Sequence, residues 1–398
     1  MLVYTSITKS YLPKARVLAS SLKEFHPTWK FVLLYSDDLP VGFNLKNEPF
    51  DEILMIDELG IPNWEGWAFG HSIVELCTAV KGTAAELLAS RNDVKKIMYI
   101  DPDIKVFSSL SNLENLLDEY DILLTPHLLD IETEFVAIQD NEISALKHGV
   151  YNLGFFAANT SSEQGLQFVK WWADRLKKFC LDDIPNGLFT DQRWCDLAPA
   201  FFSNLYIVRD RGYNVATWNI AHRKLSKDNE GNFTVAGVPL RFYHFTGYDS
   251  GAGFGMLNKY ASSQNIAQEL WDIYAKDLAK FGHQDSSYKS WKYSKYENGE
   301  NITSESRRLY RLRTDVQKVF PNPYSCVEPC FYSWWKDDVK NFQNHYNVDQ
   351  NEKKCLFQHL VAVLKNPKKG IQILKKIFKI LKTEGFQSLK TKISRKVL

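Results

Sequence analysis

Nowhere in this sequence does an apolar run approach the length needed to cross a bilayer, which excludes an α-helical membrane span. Cysteine is scarce: Cys77, Cys180, Cys195, Cys326, Cys330 and Cys355 are scattered over 398 residues. Cys326-x-x-x-Cys330 lacks a second pair to complete a zinc site, so reduced thiols in a cytoplasmic protein are expected. The Asn-x-Ser/Thr triplets at Asn159, Asn232 and Asn301 then read as accidental. Internal repeats and low-complexity segments are missing too, which leaves a globular class. No signal peptide is expected before the fold, because Met1-Leu-Val-Tyr-Thr-Ser already reads as a strand entering a turn.

Net charge is nearly absent at +2, but the balance is uneven. Residues 365–398 hold eleven Lys/Arg beside one acid, Glu384, leaving 38 basic against 46 acidic residues elsewhere. The body is mildly acidic, so no nucleic-acid partner is expected and any polyanion contact belongs to the tail.

What is present is ample core, with 44% apolar and 14% aromatic residues. The length suits two domains, or one large domain with appendages. Patterning predicts strands at 2–6, 29–35, 50–56, 97–100, 121–125, 152–159, 205–208 and 240–245. Helices are predicted at 11–25, 71–91 and 164–179, with another opening at 190. Such alternation implies an α/β fold with a parallel, doubly wound sheet and a nucleotide-type cleft. After Gly255 the character shifts to helices, aromatics and polar loops. The expected organisation is a domain over 1–262, a helical, aromatic-rich accessory region over 263–364, and a basic amphipathic tail over 365–398.

The organising stretch is 94–107. Ile97, Met98, Tyr99 and Ile100 form an apolar run suited to a strand covered on both faces. It ends in Asp101-Pro102-Asp103. In extended chain the two aspartates project to the same side. Pro102 pushes Asp101 toward extended geometry. Ligands of open α/β sheets sit outside the carboxyl ends of strands, and two hard oxygens there suit Mg²⁺ or Mn²⁺. The alternative is a turn whose aspartates cap backbone amides.

Other polar groups punctuate the same elements. Tyr4-Thr5-Ser6 ends the first strand and Asp37-Asp38 the second, where base and ribose contacts fall in nucleotide-binding folds. Tyr4 either stacks on a base or is a half-buried strand aromatic. Lys81 lies among apolar neighbours of the 71–91 helix, where a cation requires a partner; Glu75 is not spaced to be it. Asn152-Leu-Gly154 leaves room for a close approach to the backbone. Thr190-Asp191-Gln192 either meets a sugar or caps a helix. His244 is either a ligand or a satisfied core histidine, with Gly247 in the loop behind it.

Taken together, Tyr4-Thr5-Ser6, Glu75-Leu-Cys-Thr-Ala-Val-Lys81, Asp101-Pro-Asp103, Asn152-Leu-Gly-Phe-Phe, Thr190-Asp-Gln192 and His244-Phe-Thr-Gly-Tyr-Asp249 resemble metal-dependent GT-A glycosyltransferases. The likeness, over about residues 1–250, is to the family 8-like retaining enzymes and to bacterial surface-polysaccharide glycosyltransferases. It implies a Rossmann-like, mostly parallel sheet with a C-terminal helical extension. It implies Asp101, Asp103 and His244 as ligands of Mn²⁺ (or Mg²⁺), and Tyr4, Thr5 and Asp37 as nucleotide contacts. Lys81, Asn152 and Gly247 fall on the donor side, and Asp191 and Gln192 beside the anomeric carbon. The sequence departs from family 8 where a lysine and Pro-Trp usually follow the histidine element; Tyr248-Asp249-Ser250 stands there.

The activity implied is transfer of a sugar from a nucleotide-sugar, expected to be a UDP-sugar, to a glycan or lipid-linked acceptor, with retention through front-face attack. A sugar nucleotidyltransferase is the first alternative, but Thr5-Ser6-Ile-Thr-Lys9 lacks the glycines of its loop. A non-catalytic, membrane-associated glycan-binding protein is the second. In the tail, Ile371, Leu374, Phe378 and Leu381 share one helical face opposite Lys375, Lys376, Lys379 and Lys382. That pattern reads as lying on an anionic membrane surface, which implies a peripheral protein at the inner face of the cytoplasmic membrane.

Overall fold

The computed structural model describes residues 1–263, 265–285 and 288–337. The basic tail at 365–398 and the end of the accessory region lie outside the described residues. Two compact units are present. One comprises Met1–Lys295 with Gly299–Pro321; the other comprises Tyr296–Asn298 with the described residues from Asn322 onward.

In the first unit the strands of the main sheet and of the ribbon beside it are β1 (Leu2–Ile7), β2 (Lys30–Tyr35), β3 (Glu52–Met55), β4 (Lys96–Ile100), β5 (Ile104–Val106), β6 (Ile122–Pro126), β7 (Tyr151–Asn159), β8 (Leu205–Ile207) and β9 (Phe242–His244). The main sheet has seven strands in the order β8-β6-β7-β4-β1-β2-β3. Pairing is parallel for β1 with β2 and β4, β2 with β3, and β6 with β8. Only β7 runs against its neighbours, β4 and β6. The architecture is the expected α/β one with a mostly parallel sheet. Every residue of β1 is buried, as a central strand covered on both faces requires.

Helices α1 (Leu12–Phe25), α2 (Ile73–Ala89) and α3 (Ser111–Glu119) are followed by α4 (Glu163–Phe179) and the short α5 (Gln192–Cys195). Helix α2 starts in a capping box: Ser72 Oγ accepts from Glu75 N, and the Glu75 carboxylate accepts from Ser72 N. Helices α2 and α4 pack backbone to backbone. A Cβ on Gly82 would lie 2.7 Å from Ala173 Cα, so only glycine permits this approach. Behind them Phe156, Phe168 and Trp172 form a ring cluster, Phe156 and Trp172 having centroids 4.8 Å apart. Each such buried ring contributes about 1.5–3 kcal/mol.

One small ribbon sets up the site. β5 pairs antiparallel with β9, with His244 opposite Ile104. The chain beyond β4 therefore meets a segment from far along the sequence. In the second unit, the Tyr296 and Tyr332 rings meet edge to face at 5.0 Å, and Phe331 is buried.

Candidate active site

The two aspartates converge, but by a turn rather than by extended chain. Residues 102–103 form the turn after β4, and Ile104 N donates to Asp101 O at 3.1 Å. Asp101 N donates to Gly154 O of the adjacent β7 at 2.8 Å, which fixes the first carboxylate against that strand. From β9, His244 Nε2 lies 3.0 Å from Asp103 Oδ1 and 3.9 Å from Asp101 Oδ2. One ligand atom from each of the three falls within 4.8 Å of the others.

Gly154 is the floor beneath them. A Cβ there would stand 2.6 Å from His244 Cε1 and 2.9 Å from Asp101 Oδ2. Two carboxylates and one imidazole around an open floor fit a divalent cation that takes hard oxygens and tolerates nitrogen. Burial opposes ionisation of Asp103, but His244 and then Lys14 outweigh it and hold its pKa below the usual carboxylate range. Burial likewise opposes a charged His244; the neighbouring Asp103 prevails and raises its pKa.

Lys81, on the buried face of α2, has the partners its position required. Its Nζ donates to Asp101 Oδ1 and Asp191 Oδ2, both at 3.1 Å, and stands 4.2 Å above the Tyr99 ring. Tyr99 OH also donates to Asp101 Oδ1, at 2.5 Å. Burial favours the neutral amine, yet Asp101 and Asp191 reverse this and raise the Lys81 pKa. Asp191 is itself pushed up by burial, against the pull of Lys81. It heads α5 without making a side-chain cap bond, so its carboxylate serves the Lys81 cluster instead. Before it, Thr190 has φ +41°, a backbone a β-branched residue rarely adopts, at a cost on the order of 1–3 kcal/mol.

A neutral network backs His244. Asn152 Oδ1 faces His244 Nδ1 at 3.2 Å, while Asn152 Nδ2 reaches His127 Nε2 and Gln192 Oε1, each at 3.2 Å. Gln192 Oε1 also accepts from Leu153 N at 3.1 Å, and Gln192 Nε2 donates to His148 O at 3.3 Å. The His127 pKa is lowered to about 4, chiefly by burial. The Trp218 ring meets both His127 and His244 edge to face, with centroids 5.3 Å from each.

These groups share a cavity of about 600 Å³. Its walls include Lys81, Asp101, Asp103, Asn152, Asp191, Gln192 and His244. Two sequence expectations are corrected. Tyr4 cannot stack on a base: its ring is fully buried, edge-on to Tyr99 at 5.0 Å, and its hydroxyl donates to Lys81 O. Thr5 is equally buried and lines no part of the cavity. Both sit in a central strand with both faces covered.

Asp37 is buried, accepting from the backbone N–H of Lys9, Asp38 and Lys292, and Gly247 takes φ +67° and accepts from Gly253 N. Neither lines the cavity, although Thr246 does. Sequence reasoning missed Tyr11, His127 and Trp218, all in the cavity wall. His127 directly follows β6 at a strand's carboxyl end, a signal that was available. Where family 8 places a lysine, Asp249 instead accepts from buried Lys14 at 2.6 Å, and that ammonium stands 4.0 Å from the Tyr11 ring centroid.

No protein-family model matches the chain. Among curated proteins it is similar to two from Bacillus subtilis (strain 168), both described as uncharacterized. YfnF is 25% identical over 177 residues, 44% of this chain and 57% of that protein. YfnD is 22% identical over 249 residues, 61% of this chain and 76% of that protein. The chain thus spans little more than half the length of YfnF.

Solved structures similar to it include the galactosyltransferase LgtC in complex with donor and acceptor sugar analogues, at 16% identity and TM-score 0.40, covering 70% of this chain and 96% of that one. Mouse xyloside xylosyltransferase 1 is 14% identical with TM-score 0.37, covering 62% and 97%. The glycosyltransferase GlyE of Streptococcus pneumoniae TIGR4 is 14% identical with TM-score 0.40, covering 74% and 66%.

Proposed function

We propose that the protein is a GT-A glycosyltransferase moving a sugar from a nucleotide-sugar, a UDP-sugar in our reading, to a glycan or lipid-linked acceptor in bacterial surface-polysaccharide synthesis. The observation that carries this reading is the meeting of Asp101, Asp103 and His244 in one cavity wall with the Lys81–Asp191 pair. Asp101, Asp103 and His244 would hold Mn²⁺ or Mg²⁺, which supplies Lewis-acid stabilisation for a diphosphate leaving group.

The remaining work falls to the chain itself. The donor sugar passes through an oxocarbenium-like state, and the buried Asp191 carboxylate offers negative charge beside it. Lys81 holds that carboxylate in place and its charge favours the ionised form against burial. Tyr11, rather than Tyr4, presents an aromatic ring to the cavity for the base. Of the other acids in the wall, Asp140 is tied to Lys259 and Tyr260. Asp191 is then the one wall acid that could serve as the nucleophile of a double displacement, but Lys81 Nζ engages its Oδ2 and Thr190 Oγ1 its Oδ1, which favours retention by front-face attack.

The catalytic domain is assigned to 1–262, with 263–364 as accessory region. The tail at 365–398 is assigned to an anionic membrane surface, which makes the protein peripheral at the inner face of the cytoplasmic membrane.

Calorimetric titration of Mn²⁺ and UDP, together with UDP-sugar hydrolysis, tests the reading. UDP is expected to bind with Mn²⁺ present and to lose affinity in chelator, and Asp103→Ala is expected to abolish both binding and hydrolysis. Full activity of Asp103→Ala in chelator would overturn it.

A further inference from the structure

An imidazole can offer either nitrogen to a cation, and the choice is set by what holds the other nitrogen. Around His244 that choice traces back to fixed backbone groups. Leu153 N–H can only donate, and it donates to Gln192 Oε1. His148 C=O can only accept, and it accepts from Gln192 Nε2. The orientation of the Gln192 amide is therefore determined.

The Asn152 atom 3.2 Å from Gln192 Oε1 must then be the amide nitrogen. Its second N–H points at His127 Nε2, which accepts only if that ring is neutral with its proton on Nδ1. The Val150 carbonyl oxygen, 3.3 Å from His127 Nδ1, is placed to take that proton. With Asn152 Nδ2 so committed, Asn152 Oδ1 is the atom left to face His244 Nδ1. An amide oxygen has no proton to give, so His244 Nδ1 must carry one. The nitrogen facing the two aspartates is then Nε2.

We infer that Asn152, oriented by Gln192 and His127, is a positioning residue that holds the proton on His244 Nδ1 and so presents Nε2 to a cation between Asp101 and Asp103. The inference rests on the metal site proposed above. It gives Gln192 a role from behind the site: its amide oxygen is held by Leu153 N–H and Asn152 Nδ2, and its nitrogen by His148 O. It also explains why Asn152 and His127 line the cavity yet spend these atoms on one another.

The test is Mn²⁺ affinity, followed by the loss of the free-ion EPR signal on titration. Asn152→Leu removes the acceptor and is expected to weaken Mn²⁺ binding by about 10–100-fold, the usual effect of losing a group that orients a metal-bound histidine. Asn152→Asp keeps an acceptor for Nδ1–H and is expected to stay within a few-fold of wild type. If Asn152→Leu binds as wild type does, or Asn152→Asp is as weak as Asn152→Leu, the relay is wrong while the metal site stands. If wild type and Asp103→Ala bind Mn²⁺ alike, or neither binds, the metal site fails and the relay with it. Should Asn152→Leu not fold, long-range ¹H–¹⁵N spectra of histidine-labelled wild-type protein with Mg²⁺ decide. His244 must show a protonated Nδ1 and an unprotonated Nε2, and the reverse pattern overturns the inference.

Discussion

Lys81 Nζ lies 3.1 Å from Asp191 Oδ2, and both side chains are almost entirely shielded from water. The two come from different helical elements, and among the described residues no second cation hydrogen-bonds the Asp191 carboxylate in place of Lys81. Removing one member of such a pair leaves an uncompensated buried charge. Replacing both leaves only polar or apolar groups to solvate.

Lys81→Met is therefore expected to destabilise the protein by about 3–5 kcal/mol. The double variant Lys81→Met with Asp191→Asn is expected to recover part of that loss. Urea unfolding of the two variants and wild type measures it. Equal midpoints for the single and double variants would show that Asp191 does not need Lys81. Neither variant is expected to be active, because both disturb the cavity wall.

Gly154 supplies a second prediction. Its hypothetical Cβ falls 2.6 Å from His244 Cε1 and 2.8 Å from Asn152 Oδ1, where none of the groups is a free side-chain end. Gly154→Ala is expected to cost about 1–3 kcal/mol as overpacking. It is also expected to cost Mn²⁺ affinity, because the displaced groups are a proposed ligand and its orienting amide. Thermal melts and metal titration together check it. A variant with intact metal affinity and only a lower melting temperature would confine Gly154 to packing.

Much of this was legible locally. Strand and helix positions followed from runs and periods, and Asp101-Pro-Asp103 announced itself because both carboxylates lie within three residues. Lys81 could be marked as needing a partner because a cation among apolar neighbours always does, but the partners Asp101 and Asp191 come from other elements and depend on how those pack. Tyr4 and Thr5 misled for a related reason. A strand residue near a carboxyl end reads the same whether its side chain meets a ligand or the helix above, and here the Lys81 carbonyl takes the Tyr4 hydroxyl. His127 carried a local signal at the carboxyl end of β6, but its partners did not: they arise only when β6 lies beside β7 and Trp218 meets the His127 carbonyl.

A third prediction concerns pH. Burial holds the His127 pKa at about 4 in the folded protein, while the unfolded chain titrates near 6.5. Between those values the unfolded state binds more protons, so stability rises with pH. His127 thus contributes fully above about pH 6.5, and its contribution is lost as pH falls toward 4. Denaturant midpoints from pH 4.5 to 7.5 should rise more steeply for wild type than for His127→Gln, which cannot titrate. Parallel profiles would show that His127 is charged or exposed in the folded state.

The last prediction concerns the tail, which lies outside the described residues and is argued from sequence alone. Truncation after Asn366 removes ten of the eleven positive charges in 365–398 and the apolar positions from Ile371 to Val397. A basic residue near an anionic surface contributes about 1 kcal/mol, so half of these charges would hold a protein on such a membrane at low salt. Apolar burial adds a part that salt does not screen. The cavity with Asp101, Asp103 and His244 is built wholly from residues before 250. Truncated protein is therefore expected to keep donor hydrolysis and transfer to a soluble acceptor, and to lose liposome binding and activity on a lipid-linked acceptor. Sedimentation with anionic vesicles at low and high salt reads the outcome. Full-length protein that stays in the supernatant under both conditions would remove the membrane from the proposal and leave the donor chemistry untouched.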